Sequence, residues 1–225
     1  VVEPENDTRP ARPRPYCLGA SRRLFAAIAN LWHHARDTLR FLIASAVYRD
    51  GLAGVFTFGA VIAAGTFGFT SSEVIYFAIG ANLVAGAATI ASGWLDDRFG
   101  PKAVVRGSLI GLLATGAALF VLHASGKLAF AVLGLLLSAF VGPAQTASRT
   151  LLARTIPPGR ESEIFGLYAT TGRAASFMAP LAFSVMITIG GAQYWGIVGI
   201  VAVLGVGLAL LVPVKLGRRP VTPGP

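Results

Sequence analysis

Five polar residues stand inside long apolar stretches of the sequence, and their types suggest its chemistry. They are Arg49, Asp50, Asn82, Gln145 and Arg173. A charge near the middle of a lipid bilayer costs about 2.5–3.5 kcal/mol on insertion scales, so it usually has a partner and a function. Two interpretations follow: these side chains line a path for a substrate or ion, or they tie helices together through buried pairs.

The charged residues among them fall at similar predicted depths. Asp50 and Arg173 each lie nine residues into an apolar run, about 13–14 Å along a helix. An ion pair of Asp50 with Arg173 or with Arg49 is therefore geometrically allowed. Asn82 lies at comparable depth and Gln145 nearer the end of its run. For these two, hydrogen bonding between helices is the simpler alternative.

Six apolar runs must position these residues, and each is long enough to cross a membrane. A spanning helix needs about 17–25 residues, and the alternation typical of strands is absent. The sequence therefore predicts an all-α membrane bundle of six transmembrane helices. Gly142 and Pro143 are expected to loosen the fourth helix. The runs cover residues 41–69, 72–95, 104–122, 128–149, 164–189 and 194–214.

Composition agrees with a membrane protein. Only 13% of the 225 residues are charged and 54% are hydrophobic, whereas a soluble domain carries about 25% charged residues. The net charge of +9 comes from tails and short loops rather than one compact face, which argues against a nucleic-acid partner. The single cysteine, Cys17, excludes a disulfide within the chain and a cysteine-ligated metal site.

The basic residues also predict the orientation. Of the 19 Lys and Arg, only Lys127 lies in a loop after an odd-numbered run, and Arg49 and Arg173 lie inside runs. All the others lie in the tails, in loops after even-numbered runs or, for Arg106 and Arg149, at the ends of runs that adjoin those loops. By the positive-inside rule, both termini and the loop after the second run are predicted to be cytoplasmic.

The chain divides into three predicted parts. Residues 1–40 form a cytoplasmic linker rich in Pro, Arg and Glu, residues 41–214 the six-helix bundle, and residues 215–225 a cytoplasmic tail. Within the linker, residues 21–40 carry a weak apolar stripe flanked by basic side chains. This stripe indicates either a helix on the membrane surface or a plain lead-in to the first spanning helix.

The pattern of residues does not favour an enzyme. The histidines His33, His34 and His123 lie in the tail and in an outer loop, away from any serine or second ligand at membrane depth. No nucleophile–base pair or metal-ligand cluster is present in the sequence. We therefore expect no catalytic residues, no metal and no cofactor.

The loop between the second and third runs has a distinctive pattern. It reads GWLDDRFGPK and resembles the signature loop of the major facilitator superfamily, which joins the second and third helices of each six-helix half. Pro101 departs from the pattern, since the family usually has a basic residue there. The residues that carry the resemblance are Gly93, Leu95, Asp97, Arg98, Gly100 and Lys102.

A narrower resemblance is to the vacuole-effluxer-like permeases, which include the autophagy-related vacuolar amino-acid effluxer and bacterial relatives. It covers about residues 41–214 and matches the second half of such a transporter, with Arg173 where a Lys is more usual. The segments that carry it are Tyr48-Arg49-Asp50-Gly51, Gly142-Pro143, Gln145, Ser148-Arg149, Phe165-Gly166-Leu167-Tyr168 and Gly172-Arg173.

These resemblances imply a module of a secondary transporter that works by alternating access. Its helices would form a 3+3 inverted repeat, with the first, second, fourth and fifth facing a central cavity and the third and sixth facing lipid. The implied substrates are small polar solutes such as amino acids. Arg49, Asp50, Asn82, Gln145 and Arg173 would line or brace the site, and Asp50 could carry a coupled H⁺.

The resemblance also implies partners. One six-helix half presents half a cavity, so the chain is expected to need an N-terminal half or a second copy of itself in a bilayer, which for a bacterial protein is the inner membrane. The alternative is a non-transporting scaffold or degenerate half-transporter. The loop implies a conformational latch made by Gly93, Asp97, Arg98, Gly100 and Lys102. Without the other half, Asp97 and Arg98 are expected to be exposed or locally paired.

Overall fold

Seven helices make up most of the chain that the structure describes. The structure is a computed structural model and describes residues 36–156 and 160–214, apart from the side chain of Thr155. Residues 1–35 of the predicted linker, which include residues 21–35 of the predicted surface segment, and the C-terminal tail lie outside these residues. The helices are α1 (Arg36–Gly65), α2 (Ser71–Phe99), α3 (Pro101–Val121), α4 (Gly126–Thr155), α5 (Glu161–Ala175), α6 (Met178–Gly190) and α7 (Trp195–Leu211).

The predicted all-α membrane fold is confirmed. Helices α1 to α4, and the segment from Glu161 to Gly190 that contains α5 and α6, are long and apolar enough to cross a bilayer. Helix α7 is also apolar but has only 17 residues, the lower limit for a spanning helix. The first helix, as far as it is described, includes residues 36–40, which precede the apolar run predicted from residue 41.

Helix α1 lies at the centre of the packing. Small residues let its neighbours approach closely: a Cβ on Gly51 would lie 2.8 Å from Leu204 of α7, and one on Gly54 would lie 2.9 Å from Ala179 of α6. Around it, α2 and α3 pack on α4, α3 packs on α7, and α6 packs on α7.

The turn from α2 to α3 marks one end of the bundle, which we call the basic end. Gly100 joins the two helices with a φ of +82°, a conformation that residues with a Cβ adopt only under strain. Pro101 follows as the first residue of α3, where its missing N–H costs nothing. This explains the proline that departs from the family pattern. The end of α4 and the start of α5 lie at the same end.

An ion pair joins two turns at the opposite end. Thr70 and Glu73 form a capping box at the start of α2. Lys127, at the start of α4, donates to both carboxylate oxygens of Glu73, at 2.7 and 2.9 Å. Lys127 is the lone basic residue predicted on this side, so its charge is neutralised locally.

The helix that breaks is the fifth, not the fourth, where a loosening at Gly142 and Pro143 was expected. Helix α4 runs without interruption through Pro143, whereas α5 ends at Ala175 and α6 begins at Met178. Pro180 lies in the first turn of α6. Its ring would clash with the carbonyl of Ser176 in a continuous helix, so the helix ends and restarts there.

Candidate functional site

The side chain of Asp50 caps the second half of the broken helix. Its carboxylate accepts a hydrogen bond from the backbone N–H of Ala179 at 2.5 Å, and the N–H of Met178 also points to it. These are the first two residues of α6, whose N–H groups have no partner within the helix. Asp50 is only 6% exposed, so backbone N–H groups at the helix N-terminus, rather than water, are its main hydrogen-bond donors.

The adjacent Arg49 contacts the first half of the same broken helix. Its guanidinium lies over the ring of Tyr168, 4.1 Å from the centroid, and donates to the Tyr168 carbonyl at 3.2 Å. Gly172 leaves room for it, since a Cβ there would lie 3.0 Å from Nη1. Together, the contacts of Arg49 on α5 and of Asp50 on α6 form what we call the clasp.

The structure therefore does not contain the ion pairs of Asp50 with Arg173 or Arg49 that the sequence allows. Asp50 forms no salt bridge with Arg49 or Arg173 within the described residues. Three or four residues separate side chains on one helix face, so neighbours such as Arg49 and Asp50 point in different directions. The break in the fifth helix then offers Asp50 two backbone N–H groups that a continuous helix would have hidden.

The residues on either side of the clasp fix α1 to the rest of the bundle. The hydroxyl of Tyr48 makes a 2.7 Å hydrogen bond with Ser148 of α4, and Tyr48 itself is fully buried. Its backbone packs on Gly207 of α7, and Gly51 packs on Leu204. Four consecutive residues thus contact four different helices.

Tyr48→Phe tests the polar contact within this core. Removing the hydroxyl leaves the ring in place, and Ser148 still donates to the Ala144 carbonyl at 2.5 Å. We expect a loss of about 1 kcal/mol in the free energy of unfolding, typical of one buried hydrogen bond. Thermal unfolding of the detergent-solubilised protein would measure it, with Tyr76→Phe on the exposed face of α2 as the control. An equal effect of the two substitutions would contradict the contact.

Gln145 and Arg173 are both exposed, and other polar or small residues are exposed on the same two helices. In the half of α4 nearer the basic end these are Gln145, Thr146 and Arg149, and in α5 they are Gly166, Ala169, Thr170 and Arg173. We call this set the polar face. Neither Gln145 nor Arg173 makes a side-chain hydrogen bond to another helix within the described residues.

Asn82 lies apart from the polar face. Its amide donates to the Ala78 carbonyl of its own helix at 2.8 Å. It lines a partly open pocket of about 330 Å³ between five helices, with mainly apolar walls and Ser138 as another polar residue. The hydrogen bonds between helices expected of Asn82 and Gln145 are therefore not found among the described residues.

The predicted latch residues surround the turn at the basic end. The side chain of Asp97 is 84% exposed and lies 3.8 Å from Arg154 of α4. Arg98 lies over the rings of Trp94 and Phe99 of its own helix. This is the exposed, locally paired arrangement expected of a half without its partner. The function of these residues as a latch stays a prediction.

The other latch residues have separate structural reasons. Gly93 has open space where a Cβ would be, so packing among the described residues does not require a glycine there. Gly100 supplies the left-handed turn described above. Lys102 donates to the backbone carbonyl of Val214, which ties the start of α3 to the end of the described chain.

Sequence reasoning missed a buried carboxylate next to the latch. Asp96 is only 7% exposed, it faces Thr150 and Arg154 of α4, and its Oδ1 has no hydrogen-bond partner within the described residues. The signal was available, because Ala81, Ser92 and Asp96 repeat at helical spacing along the buried side of α2. Only the adjacent Asp97 fits the family pattern, so Asp97 rather than Asp96 was predicted as a functional residue.

Comparisons with known proteins agree with this architecture. The family described as "Vacuole effluxer Atg22 like" matches residues 3–221. The uncharacterized MFS-type transporter YxiO of Bacillus subtilis (strain 168) is 27% identical over 177 residues, which is 78% of this chain and 40% of that protein.

A second relative matches a shorter stretch of this chain with a higher percentage of identical residues. Autophagy-related protein 22 of Cryptococcus neoformans var. neoformans serotype D (strain B-3501A) is 38% identical over 80 residues, 35% of this chain and 15% of that protein. The aligned parts thus cover 40% or less of the length of each relative. Since the family match extends over nearly the whole sequence, the chain belongs to the vacuole effluxer Atg22-like family.

Proposed function

We propose that the chain is one six-helix half of a secondary transporter that moves small polar solutes, such as amino acids, by alternating access. The observation that carries this proposal is the polar face. Polar and charged side chains inside a membrane almost always face a bundle interior or a water-filled cavity. In this half they are exposed, so the cavity they line lies outside the bundle, toward a second half.

The exposed surface of α4 changes character along its length. Leu128, Val132 and Leu136 are exposed in the half farther from the basic end, as in a helix that contacts acyl chains or another apolar surface. Toward the basic end, Gln145, Thr146 and Arg149 replace them on the exposed surface. Water is therefore expected to reach this part of the helix from the basic end.

The exposed surface of the fifth predicted span also becomes more polar toward the basic end. Exposed positions of α6 carry Leu181, Val185 and Ile189, whereas exposed positions of α5 carry Gly166, Ala169 and Arg173 among others. The change occurs at the break between the two helices. An aqueous vestibule that opens at the basic end and stops near the clasp would explain both helices.

A second half would also cover the least buried segments. These are α2 and the segment from Glu161 to Gly190. We propose that an N-terminal six-helix half, or a second copy of the chain, packs there. The charge asymmetry supports cytoplasmic termini and a polar vestibule on the cytoplasmic side of a membrane, which for a bacterial chain is the inner membrane.

Transport by the natural full-length protein tests the proposal. The purified protein would be reconstituted in liposomes, and uptake of each of the common radiolabelled L-amino acids would be measured in counterflow against protein-free liposomes. Saturable uptake of at least one amino acid is expected. No uptake by well-folded protein would refute the proposal and favour a non-transporting scaffold.

A matched pair of tryptophan substitutions tests the vestibule. Leu128 and Thr146 lie 18 residues apart on α4, which is about five helical turns, so their side chains point in the same direction. Thr146→Trp should abolish uptake because the indole fills the vestibule. Leu128→Trp exchanges one exposed apolar side chain for another and should leave uptake near that of the unsubstituted protein. Equal effects of the two substitutions would contradict a vestibule confined to the basic end.

A further inference from the structure

Arg173 is a deep cation without a protein partner in the described part of the chain. It lies nine residues into its apolar run, about 13–14 Å along the helix axis, which is farther than an arginine side chain extends. Its side chain is exposed and makes no hydrogen bond or salt bridge within the described residues. A guanidinium carries five N–H donors and no acceptor, and no protein group in the described part of the chain accepts from those of Arg173.

The other charged side chains in this part of the bundle have contacts within the protein or can reach the membrane surface. Arg49 lies on Tyr168 and donates to a backbone carbonyl, and the deep carboxylate of Asp50 is occupied by backbone N–H groups of α6. Arg149 lies within two helical turns of the end of α4, where a long side chain can extend to the membrane surface. Among the described residues, the charge of Arg173 is therefore the one left without compensation at this depth.

The surroundings of Arg173 suit a small molecule. Gly166 and Ala169 have no side chain or a small one, so they leave room on the helix surface beside Arg173. The hydroxyl of Thr170 is directed to the Gly166 carbonyl, and that of Ser176 to the Arg173 carbonyl. Neither hydroxyl accepts a hydrogen bond from the guanidinium in the structure, and the planar fork of the guanidinium matches a carboxylate in a bidentate pair.

We propose that Arg173 binds the carboxylate of the transported solute. This inference rests on the proposed function, because it names the group of the solute that the polar face recognises. An acidic side chain from the second half could supply the same chemistry, and the experiment below separates the two sources.

The test compares an amino acid with its α-amide, which lacks the negative charge. The probe is the L-amino acid that wild-type full-length protein takes up fastest. Binding of acid and amide is measured by ligand-induced thermal stabilisation of the purified protein, so that the readout does not depend on transport. The variants are Arg173→Gln and Arg173→Lys. The control is Arg106→Gln, an exposed arginine near the start of α3.

Wild-type protein should bind the acid more tightly than the amide. Arg173→Gln should weaken acid binding about tenfold to a hundredfold, as expected for a charge-assisted hydrogen bond, and leave amide binding unchanged. Arg173→Lys should keep part of the preference, and Arg106→Gln all of it.

Two results would overturn the inference in distinguishable ways. If Arg173→Gln weakens acid and amide equally, or weakens neither, Arg173 does not read the carboxylate, and an equal loss points to an acidic partner within the protein. In that case the proposed transport function stands. If the wild-type protein neither binds nor moves any amino acid, the proposed function fails, and the inference fails with it.

Discussion

Asp50→Ala is expected to destabilise the bundle by about 2–4 kcal/mol, because it removes a helix cap and leaves buried N–H groups unpaired. The carboxylate accepts a hydrogen bond from the backbone N–H of Ala179 at 2.5 Å, and at 6% exposure it is little accessible to water that could replace the lost acceptor. Without it, the start of α6 is free to change its angle relative to α5. We expect uptake by the full-length protein to be lost together with stability.

Asp50→Asn separates the cap from a proton carrier. The amide oxygen of the introduced side chain still accepts a hydrogen bond from α6, and only the charge–dipole interaction is lost, about 0.3–2 kcal/mol. If residue 50 acts as a cap, the variant should retain most of the stability and the wild-type dependence of uptake on pH. A stable Asp50→Asn protein that has lost pH-dependent uptake would instead show that Asp50 carries the coupled H⁺. Thermal unfolding and uptake, from about pH 5 to about pH 8, would be measured on the same preparations.

The sequence predicted the helices well because hydropathy and length alone constrain them. A backbone in lipid must satisfy its own hydrogen bonds, so an apolar run of sufficient length has few alternatives to a helix. The same reasoning identified Arg49, Asp50 and Arg173 as special, since charge at depth is costly. It did not identify their partners, because these depend on how the helices rotate and on where one of them breaks.

The break itself shows why local signals are not enough. Pro143 and Pro180 both lie in apolar runs, and the sequence-based prediction placed the loosening at Pro143 and its neighbour Gly142. In the structure Gly142 lets α4 approach α2 closely at Ala85 and Thr89, so packing keeps α4 intact across the proline. At Pro180, Asp50 from another helix supplies the cap that a break requires. Because this cap comes from another helix, the sequence of the apolar run itself does not indicate it.

Gly207→Ala should cost about 1–3 kcal/mol through overpacking, although alanine is the better helix former. A Cβ on Gly207 would lie 2.5 Å from the Cβ of Tyr48 and 2.8 Å from its backbone nitrogen. A backbone atom cannot turn aside as a flexible side chain can, so α7 must move away from α1. That movement would also shift Tyr48 from Ser148 and loosen the clasp on both halves of the broken helix.

Gly205→Ala is the matched control, two residues earlier in the same helix. There the nearest atom to a new Cβ is a terminal carbon of Leu113, 3.8 Å away, which is ordinary contact. Relief of glycine's helix penalty should then leave this variant unchanged or more stable by up to about 1 kcal/mol. The two substitutions are chemically identical, so any difference in Tm between them reports the packing of α7 on α1. Equal Tm values would mean that this close approach does not hold the site together.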